Sequence, residues 1–247
     1  KTYSVSAGGK ISNCLVETAN SRISSNIASK NDGNMFKPET YTINAYTHGS
    51  NGVTSKGISI RLHGSGGKSD WISLSDCGKD RGDWPGSFTT NSVGTLQKIE
   101  VKTNADNKWF PGKITVSAKF GGETITVYGG RWIGQTAATL SPSDNIYCVT
   151  IITSNYTNAG TDADIALFLQ DNDGTKTDEL NLSELCYNKN AFEKGDVESF
   201  YIYAPNDFGE CRHAFLSSDH SHPAAGWKVS KIEINKVQGG SDGYTVS

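Results

Sequence analysis

The 247-residue sequence has one methionine, six prolines and no apolar run longer than five residues, and its 23 Lys and Arg nearly balance 26 Asp and Glu. A membrane-crossing helix needs about 20 consecutive apolar residues, so the short runs exclude one. The scarcity of methionine speaks against a helical bundle. Five cysteines, at 14, 77, 148, 186 and 211, are too widely spaced for a zinc knuckle and too few for a disulfide-built scaffold. At most two bridges can form, and one cysteine is left over; this tilts the reading towards a secreted or extracellular setting. The sequence opens on Lys1 with no signal peptide, and the sequons at Asn155 and Asn181 permit glycosylation.

What is present points to strands. Residues 41–46, 58–62, 99–101, 114–116 and 125–127 alternate apolar and polar side chains at period two. Residues 149–152, 165–169, 180–182, 200–203 and 232–234 carry further short strand signals. Turn-forming stretches rich in Gly and Asn separate them. No long stripe of period 3.6 occurs, so the chain is expected to be all-β.

Charge divides the chain. Residues 1–138 hold 16 basic against 10 acidic side chains, and residues 139–247 hold 7 against 16, giving +6 and −9. Such asymmetry suggests different surface partners for the two halves. The halves also repeat one another. Tyr41 answers Tyr147, the strand 58–62 answers 165–169, Val93-Gly94 answers Phe208-Gly209, and Trp109 before Lys113-Ile-Thr-Val116 answers Trp227 before Lys231-Ile-Glu-Ile234. Two tandem antiparallel β-sandwiches are the simplest reading, the first at 1–138 and the second at 139–247. Residues 1–40 have no counterpart and read as an added strand or arm.

Three stretches of the second half resemble the PLAT domain, the lipoxygenase-homology (LH2) β-sandwich of lipoxygenases, pancreatic lipases and a clostridial phospholipase toxin. They are Ala159-Gly160-Thr161-Asp162-Ala163-Asp164-Ile165, Phe192-Glu193-Lys194-Gly195 running to Phe200, and Trp227 before a strand. In the first half, residues 122–127 followed by Arg131-Trp132-Ile133 are similar to the family's closing strand. The resemblance implies eight-stranded sandwiches that bind membranes or proteins, often with calcium, and that carry no catalytic machinery.

Carried over residue by residue, the resemblance places calcium on the carbonyls of Gly160 and Thr161 and on Asp162, Asn190, Glu193 and Asp219. Ala191 stands where calcium-binding relatives often have Asp, which removes one carboxylate. A hard cation wants six to eight oxygen donors, so the loss weakens the site. The corresponding first-half loop, Gly52-Val53-Thr54-Ser55-Lys56, has Ser55 in place of the Asp, and Lys56 is the candidate substitute for the metal's charge. Lys56, Lys68, Lys79 and Arg81 form a candidate basic face for phosphate headgroups. Trp84 and Tyr156 are candidate aromatic contacts with a membrane or partner.

Other motifs fail on context. Residues 239–243 spell G-x-S-x-G without the following helix that a nucleophile elbow needs. His63 to Ser69 lacks the first glycine of a phosphate loop. His220 and His222 lack a third and fourth zinc ligand. The expected function is non-enzymatic calcium-assisted docking on a lipid surface. The alternatives are a protein-recognition or accessory module, such as a toxin subunit or part of an extracellular assembly, and below it a carbohydrate-binding sandwich using Trp71 or Trp84. Nucleic acid is not an expected partner.

Overall fold

The computed structural model describes residues 37–49, 51–188, 190–219, 226–239 and 243–246. The readings on residues 1–36, including Cys14, and on His220 and His222 lie outside them, as does most of the G-x-S-x-G stretch. Strand makes up 53% of the structure and helix 2%, so the chain is all-β as its period-two patterns require.

The first sheet runs β5 (Gly82–Asn91), β1 (Pro38–Thr47), β7 (Pro111–Ala118), β8 (Thr124–Tyr128). Facing it are β3 (Gly67–Lys68), β2 (Ile58–Gly64), β6 (Leu96–Thr103) and β9 (Ala138–Leu140), with β4 (Ile72–Leu74) also paired to β2. Their inward residues form one apolar cluster in which Tyr41, Ile60, Leu62, Ile99, Val101, Trp109 and Ile114 are fully buried. Burying each large aliphatic side chain contributes about 1.5–3 kcal/mol, which is why alternation fixes the facing of every strand.

The second half repeats this plan. One sheet runs β13 (Val197–Ala204), β10 (Asn145–Thr153), β15 (Val229–Gln238), β16 (Gly243–Val246). The other runs β12 (Leu180–Asn181), β11 (Ile165–Asp171), β14 (Cys211–Ser218). A short helix, α1 (Leu182–Leu185), is capped by the Asn181 side chain, which accepts the Glu184 N–H at 3.4 Å. One similar hydrogen bond occurs in each half: Trp109 Nε1 donates to Thr47 Oγ1 at 2.9 Å and Trp227 Nε1 to Thr153 Oγ1 at 3.1 Å. β9 straddles position 138/139 and pairs with β6, so Leu140 belongs to the first cluster.

The halves share buried surface. Phe110 is fully buried in the second cluster, and its ring meets Trp132 edge-on at 5.1 Å. His48 lies among Tyr46, Phe110, Phe200 and Tyr201. Gly130 (φ +59°) accepts the Tyr203 N–H at 2.9 Å, and a Cβ there would lie 2.7 Å from that nitrogen. Only glycine combines this left-handed backbone with so close an approach. Cys77, Cys148, Cys186 and Cys211 are all free thiols.

Candidate functional site

Three connections meet at one end of the second sheet pair: residues 154–164 after β10, residues 186–196 after α1, and the segment after β14 that includes Asp219. Backbone bonds tie them together. Thr161 N–H donates to the Phe192 carbonyl at 3.3 Å, and Lys228 N–H donates to Ala159 O at 2.9 Å. Within the first loop Ala163 N–H donates to Thr161 Oγ1 at 3.1 Å, turning the chain so that Thr161 is buried and Asp162 exposed. Phe192 is buried against Trp227, their rings meeting edge-on at 5.2 Å, and it holds a φ of +64°. Asn158 has a φ of +59°. A bulky residue such as Phe192 in the left-handed region costs energy that packing must offset, whereas Asn adopts that region readily, so contacts hold the second loop and local preference suffices at Asn158.

Two concavities open on either side of Asp162. An open cleft of about 500 Å³ is lined by residues including Gly160, Thr161, Asp162, Glu193 and Lys194. A small polar pocket of about 90 Å³ is lined by residues including Thr161, Asp162, Asp164, Ser183 and Asn190. Thus Gly160, Thr161, Asp162, Asn190 and Glu193 are drawn together around one loop, with Asn190 and Glu193 on opposite sides of it. Glu193 sits low over the loop, because a Cβ on Gly160 would lie 2.7 Å from its Oε2. Asp219 is placed differently. Its carboxylate accepts the Asp164 N–H at 3.0 Å and its own N–H donates to Asp164 O at 3.1 Å, clamping the start of β11. Among the described residues no three His, Cys, Asp or Glu side chains converge as metal ligands. The donor set is therefore one of mixed oxygens, with Asp162 and Asp164 the carboxylates of the smaller pocket and hydroxyl and amide groups beside them. This chemistry fits a hard cation and does not fit zinc or another soft metal. Asp164 and Ser183 were missed from sequence; the spacing Asp162-Ala163-Asp164 was the available signal for the first.

The other candidates are dispersed. Tyr156 is 66% exposed beside the site, with Lys228 Nζ 4.1 Å from its ring centre. Trp84 lies in strand β5 and packs partly against the first cluster, flat over Gly86, so it is not at a loop tip. Lys56 and Lys68 are exposed, while Lys79 pairs with Asp76 at 3.2 Å. Arg81 stacks on Tyr187 at 4.3 Å and donates to its carbonyl, which commits it to the contact between the halves. Trp71 is flanked by Arg61 and Lys102, at 4.5 and 4.7 Å from its ring centre. In the first-half loop Asn107 takes the bridging role: its amide donates to Val53 O at 2.8 Å and accepts from Ser55 Oγ at 3.1 Å.

These loops belong to a segment with known relatives. Residues 147–246 match the PLAT/LH2 domain. The chain is 28% identical over 166 residues to the mouse lipoxygenase homology domain-containing protein 1, covering 60% of this chain and 8% of that protein. It is 26% identical over 240 residues to the human protein of the same name, covering 86% of this chain and 11% of the relative. It thus spans about a tenth of the length of these relatives. A crystal structure of Delta413-417:GS LOX aligns with 44% of this chain and 17% of its own, at 20% identity and a TM-score of 0.40. The PLAT/LH2 segment contains all six residues expected to bind calcium. PLAT/LH2 domains are non-catalytic modules that bind lipid, membranes or proteins.

Proposed function

We propose that the protein is a non-enzymatic docking module built of two PLAT-like sandwiches, whose acidic second half engages a membrane lipid surface with the help of calcium. The observation that carries this reading is the oxygen-lined pocket shared by Thr161, Asp162, Asp164, Ser183 and Asn190, built in part from the same 154–164 loop that carries the exposed Tyr156. Thr161, Asp162 and Asn190 are the residues that hold the cation, with Gly160 and Glu193 on the flank. Bound calcium supplies positive charge that offsets the repulsion between these acidic loops and anionic headgroups. Phe192 and Trp227 hold the loop bases, and Thr161 and Ala163 hold the turn. Lys228 keeps the Tyr156 ring beside the loops, where it presents an apolar face with a polar tip suited to the membrane interface. Burying about 100 Å² of that aromatic surface contributes roughly 2.5 kcal/mol, so a single loop binds weakly. The extracellular setting remains part of the proposal, and the four unpaired thiols lend it no weight.

Calorimetric titration of the full chain with calcium tests the site. The expected result is a single-site heat, with affinity falling at least tenfold in Asp162→Ala, about 1.4 kcal/mol. Flotation with phosphatidylserine vesicles tests the surface: retention in calcium and release in chelator are expected. Equal retention in both conditions overturns the calcium mechanism.

A further inference from the structure

The sheets built on β2 and on β11 differ in the chemistry of their outer faces. On β11 and β14 it is aromatic, with Phe168 stacked on Phe215 at 4.7 Å. On β2 and β6 it is basic. Ile60, Leu62, Ile99 and Val101 point into the core, so Ser59, Arg61 and His63 point outward opposite Lys102, Glu100 and Lys98. Lys68 of β3 stands opposite His63 on its other side. Cross-strand neighbours on one face lie about 5 Å apart, so Lys68, His63 and Lys98 form a row across three strands, with Arg61 and Lys102 in the next two rows. The opposing carboxylates are Glu100 on the face and Asp70 in the connection beside it.

Several of these groups are held in place. Arg61 and Lys102 lie over the Trp71 ring, 4.5 and 4.7 Å from its centre. Glu100 accepts from Arg61 Nη1 at 3.3 Å and lies 3.2 Å from His63 Nε2. Ser59 Oγ donates to Asn104 Oδ1 at 2.7 Å, and the Asn104 amide donates to Ser73 Oγ at 3.3 Å. Hydroxyl and amide groups therefore stand beside Lys102, whose strand partner is Ser59. Among the described residues Lys68, Lys98 and Lys102 enter no ion pair, which leaves their charge available to an outside anion. A cation already ordered by its neighbours loses less conformational freedom on binding. The exposed large apolar side chains among the described residues, such as Phe120, Tyr156 and Phe215, all lie elsewhere.

We propose that this face binds an extended sulfated polysaccharide. The mixture of groups decides the class: cations spread over three strands, with neutral hydroxyl and amide groups beside them. A sulfated glycan carries the complement, with ionised sulfates at intervals along a chain and hydroxyls between them. Clustered Lys and Arg are the usual footprint of such binding. The Arg61 guanidinium suits a two-oxygen grip on one sulfate, and Lys68, Lys98 and Lys102 act as point charges along the chain. A membrane surface would use the cations alone, and this face offers no apolar side chain for insertion. A single-stranded nucleic acid needs an aromatic ring on which bases stack, and Trp71 already carries two cations. The inference depends neither on calcium nor on the acidic half.

The probe is heparin, titrated calorimetrically into the full chain in chelator at physiological salt. The test variant is Lys68→Gln/Lys98→Gln/Lys102→Gln. The control, Lys37→Gln/Lys113→Gln/Lys119→Gln, removes the same charge from exposed lysines on or beside β1 and β7, in the opposite sheet. Affinity is expected to fall at least tenfold in the test variant and to change by less than about twofold in the control. It is also expected to fall at least tenfold when the heparin is chemically desulfated. Absence of heparin binding, equal losses in the two variants, or undiminished binding of desulfated heparin overturns the proposal. So does equally tight binding of phosphatidylserine vesicles or single-stranded DNA in chelator that the test variant abolishes, because the face then serves a membrane or a nucleic acid. Calcium-dependent flotation is expected to be unchanged in the test variant, so failure of the calcium reading and failure of this one are separate results.

Discussion

His48 offers the sharpest test of how the halves are joined. Its ring is 3% exposed, stacks on Phe200 at 6.1 Å and meets Tyr46, Phe110 and Tyr201 at an angle. Its Nε2 has no hydrogen-bond partner. Burial alone pushes its pKa from 6.5 down to about 4. A histidine depressed in the folded state stays neutral there while the unfolded chain takes up a proton, so stability is unaffected above pH 6.5 and falls as pH drops from 6.5 towards 4. At 1.36 kcal/mol per pH unit, the shift amounts to about 3 kcal/mol by pH 4. Other groups titrate in the same range. Burial raises Asp144 and Glu198, which works in the opposite sense. The Gly209 N–H, followed by those of Thr175 and Asp173, lowers Asp171, which adds to the loss. Comparison with His48→Phe and His48→Leu removes these shared contributions. Urea unfolding at pH 7, 6, 5 and 4 is the assay. The expected outcome is that the unmodified protein loses about 3 kcal/mol more than either variant across the range. Parallel pH dependences in all three proteins refute the reasoning.

Further predictions concern the same architecture. Gly130→Ala forces a Cβ to 2.7 Å from the Tyr203 nitrogen at φ +59°, whereas Gly134 has open space around it. The first substitution is expected to cost about 1–3 kcal/mol in chemical denaturation and Gly134→Ala close to nothing; equal effects contradict the packing between the halves. Burial pushes the thiols of Cys77 up to about 12 and Cys211 up to about 11, and that of Cys186 higher still. At pH 8 a disulfide reagent is therefore expected to label these three only after denaturation, and rapid labelling of the native protein contradicts their burial. Asn107→Ala removes the amide that closes residues 53–55, and the expected result is faster hydrogen exchange there with little change in residues 154–164.

Much of the architecture was legible in the sequence because burial on a pleated strand has a period of two. The alternation at 58–62 and 165–169 placed Ile60, Leu62, Leu167 and Leu169 inside, where they are fully buried. The family-like Ala-Gly-Thr-Asp loop and the stretch after Phe192 could be paired in advance, and their residues do line adjoining pockets. What the sequence could not supply was which long-range neighbour each exposed or half-exposed group meets. Trp84 reads as a loop residue between Asp83 and Pro85, yet edge-strand pairing of β5 with β1 turns it towards the core. Arg81 reads as a free cation, yet Tyr187, 106 residues away, takes it up. Asn107 closes a loop 54 residues distant, and Phe110 is buried in the other half's core. Strand periodicity is a local property of the chain, and by itself it marked most of the buried strands but not β5 or β14. Closure of the loops and the contact between halves depend on which distant segments share space, and only tertiary packing decides that.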